Sequence, residues 1–364
     1  MFLELSEMGS AILAYSAIEQ IKRDYPQARL YFWIFEKNRD SVDILNIIPR
    51  ENIITMRDQN IFLLFVDAIK NIARIRKERI EVVFDMELFS RYSAILSFLS
   101  GAKTRIGFSK FTLESLYRGN LHTHKVSYNP YMHISKNFLS LARSLKAAPG
   151  EMPLLKMPLS EARTIVPKIL SGQKQAQNIW SKLKNINPQI NEKNKVVILN
   201  PGLNEILPLR KWPMENYEAL AKELLLDPLV FIVISGIGPD SSKPGPFFDG
   251  PSGLRIINLV GKTTVREMID LYNVSSLLIS HDSGTTNLAS LTNINIIVLF
   301  GPETPLLYAP LSENMTVLYS NLACSPCLSA YNHRRSACRD NACLKGISVG
   351  EVCNAAKVCL LSRE

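Results

Sequence analysis

Residues 277–305 read LLISHDSGTTNLASLTNINIIVLFGPETP. The run that leads into it, SSLLIS, has the length and apolar character of a buried strand. Gly284 then turns the chain, apolar residues resume at helical spacing, and INIIVLF makes a second buried run that closes on a Gly-Pro loop. Two apolar strands joined through a helix form a parallel βαβ unit with both faces covered. Between the first strand and the helix lie His281, Asp282, Ser283, Gly284, Thr285 and Thr286, a dense set of hydrogen-bonding groups at a turn.

The same rhythm extends outward in both directions. VVILN, MENYEALAKELL, LVFIVISG, IINLVG and VREMIDLYN precede the stretch, and an earlier series runs through FLEL, MGSAILAYSAIEQIKRDY, ARLYFWIF, DSVDILNII, FLLFVDAIKNIARIRKE, IEVVFDM, RYSAILSFLSGA and TRIGF. Alternating strands and helices predict an α/β fold of two halves, each a parallel sheet covered by helices on both faces. Prolines at 149, 153 and 158 interrupt the pattern. The expected division is an N-terminal domain over 1–160, a helix and linker over 161–195, and a C-terminal domain over 196–364 with a cysteine-rich tail.

Composition narrows the class. The chain has 364 residues, 46% of them hydrophobic, which suffices for two domain cores. No run approaches the ~18 apolar residues of a membrane span. The N-terminus lacks the basic and apolar regions of a secretion signal, so the cytoplasm is the expected compartment. Met1 stands almost inside the first strand, which suggests an earlier start. A formal charge of +9 suits phosphorylated small molecules or an anionic bilayer surface. Nucleic acid is not expected, since no basic patch is interleaved with aromatics and ARIRKERI at 73–80 reads as a solvated helix face. The six cysteines all follow residue 323. Cys324-x2-Cys327 and Cys338-x4-Cys343 allow a zinc knot, but the looser spacing of the second pair favours a packed or redox-labile loop, and no metal is assigned.

In open parallel sheets, ligands bind beyond the carboxyl ends of the strands. Four strand-to-helix loops carry polar chemistry there. SEMGSA brings Glu7, Gly9 and Ser10. DMELFSR brings Asp85 and Glu87, with Arg91 a turn later. NPGLNEILPLRKWP brings Pro201, Gly202, Arg210 and Lys211. The opening stretch brings Asp282, Ser283, Gly284, Thr285, Thr286 and Asn287, where helix amides and two hydroxyls would suit a phosphate. Asp282 is read either as an N-cap or turn former, or as a group that fixes the loop or accepts from a ligand hydroxyl. A G-x-G at 236–238 lacks the third glycine of a dinucleotide fingerprint.

Together these motifs resemble glycosyltransferase family 9, the heptosyltransferases of lipopolysaccharide core synthesis. The resemblance rests on LSEMGSAILAYSAIEQIKRDYPQARL, FDMELFSR with SGAKTRIGF, NPGLNEILPLRKWPMENYEALA, HDSGTTNLASLTNINIIVLFGPETP and the CSPC tail. It implies a GT-B fold, two doubly wound Rossmann-like domains facing across a cleft. It also implies inverting transfer of a heptose or related sugar, without a required metal or other cofactor, from a nucleotide-diphosphate donor such as ADP-heptose to a lipid-linked or polysaccharide acceptor. Peripheral contact with the inner membrane would come through the positive charge.

By position, the resemblance gives donor binding to Pro201, Gly202, Arg210, Lys211 and residues 282–287, and acceptor binding to Gly9 and Arg91. Two positions depart from the family. Ser10 stands where its catalytic aspartate is expected, and Asn287 where it has a histidine. Glu7, in the same loop, is the first replacement for the general base, and Glu87 the second. The departures also raise an alternative, a sugar-nucleotide-binding homologue without catalysis in a glycan assembly complex.

Overall fold

Short apolar strands build the sheet of the first of two units, Met1–Pro167. They are β1 (Phe2–Leu3), β2 (Phe32–Phe35), β3 (Ile53–Met56), β4 (Val82–Asp85), β5 (Thr104–Ser109) and β6 (His124–Ser127), in the order β3-β2-β1-β4-β5-β6. The second unit, Lys168–Glu364, repeats the plan with β7 (Lys195–Asn200), β8 (Val230–Ile234), β9 (Ile256–Asn258), β10 (Leu277–His281), β11 (Asn295–Phe300) and β12 (Met315–Tyr319), ordered β12-β11-β10-β7-β8-β9. All pairings are parallel. The computed structural model describes residues 1–109, 116–159, 162–202, 208–236 and 255–361. The end of the G-x-G, Ile237 and Gly238, and residues 203–207 of the loop before Arg210 lie outside them.

Both orders are those of a Rossmann-like sheet, as expected. Each has a switch point where the winding direction reverses, between β1 and β4 in the first unit and between β7 and β10 in the second. The four polar loops follow these same four strands. Sequence and topology therefore converge on two strand-end crevices.

The central strands are buried on both faces, as in β7, where Val196, Val197, Ile198 and Leu199 are inaccessible. In the first unit Phe2 stacks between Phe32 and Phe84, with ring centroids 6.5 and 5.0 Å away. The second core draws on the last helix, Val349–Leu361, which buries Val352, Cys353, Ala356 and Leu360. Trp212 anchors it, with Nε1 donating to the Ile347 carbonyl at 2.9 Å and the ring edge-on to Tyr217.

The periodic segment 8–25 is two helices, Met8–Leu13 and Tyr15–Asp24, parted at Ala14. The helix Gln173–Ile186 lies in the second unit, packs on the helix Val265–Val274 and buries Ile179, Trp180 and Leu183. Among the described residues no helix is long and apolar enough to cross a membrane.

Candidate active site

In the first unit the end of β4 is organised by a buried ion cluster. Asp85 is inaccessible, and its Oδ2 pairs with Arg118 and with His122 Nε2 at 3.0 Å. Burial alone would push the Asp85 carboxyl up, but Arg118 and His122 outweigh it and hold it below its ordinary value. Arg118 also donates to the carbonyls of Glu87, Ser90 and Phe108, at 3.1, 2.9 and 3.2 Å. Four backbone or carboxylate acceptors thus fix one guanidinium, which matches its rigid fork of donors. Gly107 leaves room for this cluster, since a Cβ there would stand 2.6 Å from His122 Nε2.

The fixed loop presents Glu87 to the end of β1. Its Oε1 accepts from the amides of Leu5 and Ser6 at 2.8 and 3.0 Å and from the Ser6 hydroxyl at 3.0 Å. Burial, against these amide bonds, leaves the Glu87 carboxyl raised. Glu87 therefore ties the two loops of the switch point together. The next turn carries Glu7 at the N-cap of the helix Met8–Leu13, and its Oε2 accepts from the Ser10 hydroxyl at 2.9 Å. Gly9 lies in the first turn of that helix rather than in a free loop. Arg91 is exposed at the start of its own helix, with Nε donating to the Tyr117 carbonyl at 3.0 Å.

In the second unit the strand ends converge on Arg210. Its Nη2 donates to Glu303 Oε1 at 2.9 Å, and its Nη1 lies 3.7 Å from Asp282 Oδ2. Glu303 is 1% exposed and also receives Arg334, whose Nε is at 3.5 Å. Arg334 packs over the Tyr308 ring, 5.4 Å from its centroid. Its neighbour His333 and Arg334 itself both have left-handed backbone (φ 51° and 55°), which turns the chain back onto Glu303. Burial pushes the Glu303 carboxyl up to about 8; Arg210 opposes this and Asp282 adds to it.

Around this cluster the loops close on themselves. Asn200, at the end of β7, donates to Thr285 Oγ1 at 3.0 Å and accepts from the Gly202 amide at 3.2 Å. Gly202 has φ +63°, a conformation glycine adopts without strain. Pro201 beside it is buried. The N-cap of the helix Gly284–Ala289 is Ser283, not Asp282, whose carboxylate is turned to Arg210. Of the two threonines, Thr286 is buried and donates to the Ser283 carbonyl at 2.8 Å, so its hydroxyl serves the helix. Asn287 is buried and its Oδ1 has no hydrogen-bond partner. The adjacent cations diverge: Lys211 lines a depression with Trp212, Glu215, Asn341 and Lys345, while Arg210 faces the carboxylates.

The sequence reading placed Asp85, Glu87, Arg210 and Asp282 at strand ends but did not single out Arg118, His122, Glu303 or Arg334. Glu303 stood in the quoted GPETP loop, and that position was the available signal. The six cysteines are free thiols, with Cys343 and Cys353 buried. Among the described residues no three histidine, cysteine or acidic side chains come together in a way that could hold a metal ion.

The profile described as glycosyltransferase family 9 (heptosyltransferase) matches residues 69–337. The chain belongs to glycosyltransferase family 9. The resemblance drawn from the motifs is thereby borne out. The matched stretch includes Glu87, Arg210, residues 282–287 and Glu303, and begins after the loop of Glu7 and Ser10. Among curated relatives, lipooligosaccharide heptosyltransferase 2 of Haemophilus influenzae is 31% identical over 121 residues, 32% of this chain and 34% of its own length. Lipooligosaccharide heptosyltransferase 2 of Campylobacter jejuni is 22% identical over 327 residues, 88% of this chain and 87% of the relative.

Solved structures give the same fold. The ADP-heptose lipopolysaccharide heptosyltransferase II of Escherichia coli superposes with a TM-score of 0.76 at 18% identity, covering 100% of this chain and 98% of that one. A family 9 glycosyltransferase of Veillonella parvula gives 0.73 at 17%, covering 99% and 96%. Family 9 membership and this likeness assign the two Rossmann-like units to the GT-B class.

Proposed function

We propose that the protein is an inverting glycosyltransferase. It moves a heptose or related sugar from a nucleotide-diphosphate donor, ADP-heptose or a close analogue, onto a lipopolysaccharide or other surface-glycan acceptor. It works in the cytoplasm, in peripheral contact with the inner membrane. The observation that carries the reading is Arg210, set between Asp282 at the end of β10 and Glu303 in the loop after β11, beside the start of the helix Gly284–Ala289.

In this reading the donor diphosphate takes Arg210, the amides of Gly284 and Thr285 and the Thr285 hydroxyl, with Pro201 and Gly202 letting the backbone approach. Asp282 accepts from a sugar hydroxyl. The acceptor hydroxyl gives its proton to Glu7 and attacks the anomeric carbon. The bond from that carbon to the diphosphate oxygen breaks with inversion. Arg210 and the helix amides take up the charge that grows on the leaving group, the type of stabilisation that contributes most in such transfers. Ser10, in the position of the family's aspartate, orients the carboxylate of Glu7 through its hydroxyl. Glu87 serves as the clamp of that loop, and Arg91 meets an acidic acceptor.

The test is transfer from ADP-heptose to a heptose-deficient core acceptor. Glu7→Gln should lower turnover roughly 100-fold or more while leaving ADP binding unchanged. Arg210→Ala should weaken ADP about tenfold. Ser10 and Asn287 favour a second reading, a non-catalytic sugar-nucleotide-binding homologue in a glycan assembly complex. Folded wild-type protein that binds ADP-heptose and transfers nothing would decide for it.

A further inference from the structure

The helix Ile61–Lys77 has two apolar sides. One packs into the first core through Leu64, Ala68, Ile72 and Ile75. The other faces out: Ile61 is 85% exposed, Phe62 71%, Phe65 65% and Ile69 53%. Ile61, Phe65 and Ile69 recur every four residues, so they form a stripe along the helix, with Phe62 beside it. The stripe is not a frayed end, because Asn60 caps the helix by accepting from the Leu63 amide at 2.9 Å.

The neighbouring helix, Arg91–Leu99, extends the surface with Ile95, Phe98 and Leu99, which are 46%, 50% and 38% exposed at i, i+3 and i+4. Arg76 joins the two helices by donating to the Leu99 carbonyl at 2.9 Å, and Arg105 lies 5.6 Å from the Phe98 ring centroid. These seven large apolar side chains, 38% to 85% exposed, sum to on the order of 800 Å², more than the roughly 300–600 Å² of the largest apolar patch on a typical monomer.

Charge selects the occupant. The helix Ile61–Lys77 carries Lys70, Arg74, Arg76 and Lys77 against one carboxylate, Asp67, which is bound by Arg57 at 2.7 Å. An anionic bilayer complements these cations and accepts the apolar stripe at its headgroup boundary.

We infer that the outer face of the helices Ile61–Lys77 and Arg91–Leu99 is a docking surface for an anionic lipid bilayer, held by inserted Phe62 and Phe65 as well as by attraction. The surface specifies where the membrane contact named in the proposed function would lie. Binding is read without any transfer assay, so the two stand or fall separately.

The test is cosedimentation of the full chain with phosphatidylcholine vesicles, with and without phosphatidylglycerol. The wild type should bind only the anionic vesicles, and less at high salt. Phe62→Ser with Phe65→Ser should reduce partitioning at least tenfold, and Lys70→Glu with Lys77→Glu should do the same. Both pairs should keep the wild-type melting temperature, because these side chains are exposed. Wild-type protein left in the supernatant, or a phenylalanine pair that binds as tightly as wild type, would overturn the proposal. So would a wild-type dimer in size-exclusion chromatography that the phenylalanine pair converts to monomer, which would give the face to a second copy.

Discussion

Glu303→Gln isolates the charge balance around Arg210. The side chain is 1% exposed, and burial raises its pKa from 4.5 to about 8. In the unfolded chain the carboxyl returns to its ordinary value, so between these limits the folded protein holds a proton that the unfolded chain has released. Stability from this group is complete below pH ~4.5 and is lost as pH rises through about 8. At about 1.4 kcal/mol per unit of separation, the loss is on the order of 5 kcal/mol. Glutamine keeps the shape and an oxygen for Arg210 but cannot ionise.

Urea unfolding of wild type and Glu303→Gln should therefore give similar stabilities near pH 5. The variant should gain steadily from there to about pH 8 and hold its advantage above it. Taking the difference cancels other titrating groups that the substitution does not touch. Parallel curves would refute the reasoning. A variant less stable than wild type at neutral pH would also refute it, since that would mean an ionised Glu303 bound productively to Arg210 and Arg334.

Two further outcomes follow from the first unit. Asp85→Asn leaves Arg118 buried without its counter-ion and should cost about 3–5 kcal/mol in equilibrium unfolding; a loss below about 1 kcal/mol would mean that the ion cluster does not organise this strand end. Glu87→Ala removes the acceptor of the Leu5 and Ser6 amides, a local loss of about 1–3 kcal/mol. It should appear as faster amide exchange at those two positions with the central strands unchanged, and equal protection in wild type and variant would rule the clamp out.

Legibility followed burial. The central strands β1, β2, β4, β5, β7, β8, β10 and β11 could be read as apolar runs because both faces are covered. Of the edge strands, β9 was read as IINLVG, while β6 and β12 escaped the reading, as did β3 although Ile53, Ile54 and Met56 are buried. β6 is His124–Ser127, with only His124 and Val126 buried, and every residue of β12 is half-exposed. These two strands are covered less, so selection for apolar residues is weaker and the run breaks, whereas β3 is short and follows an apolar segment that reads as helix. The exposed stripe on the helix Ile61–Lys77 was hidden for the opposite reason, because periodicity finds an apolar side without saying what lies against it.

The candidate site divides in the same way. Gly202, Gly284 and the polar residues beside them stood out because turns and strand ends impose local requirements that a chain writes in adjacent residues. Which carboxylate meets which cation did not stand out. Arg118 reaches Asp85 across 33 residues, and Arg210 reaches Glu303 across 93. That the Ser10 hydroxyl donates to Glu7 was likewise not legible in the loop's sequence. By itself the sequence determined the alternation of elements, the doubly wound sheets and the loops that carry polar chemistry. The tertiary structure decided which charges pair, which carboxylates are held as clamps and which apolar side faces water, because those choices depend on distances between residues that the chain order keeps far apart.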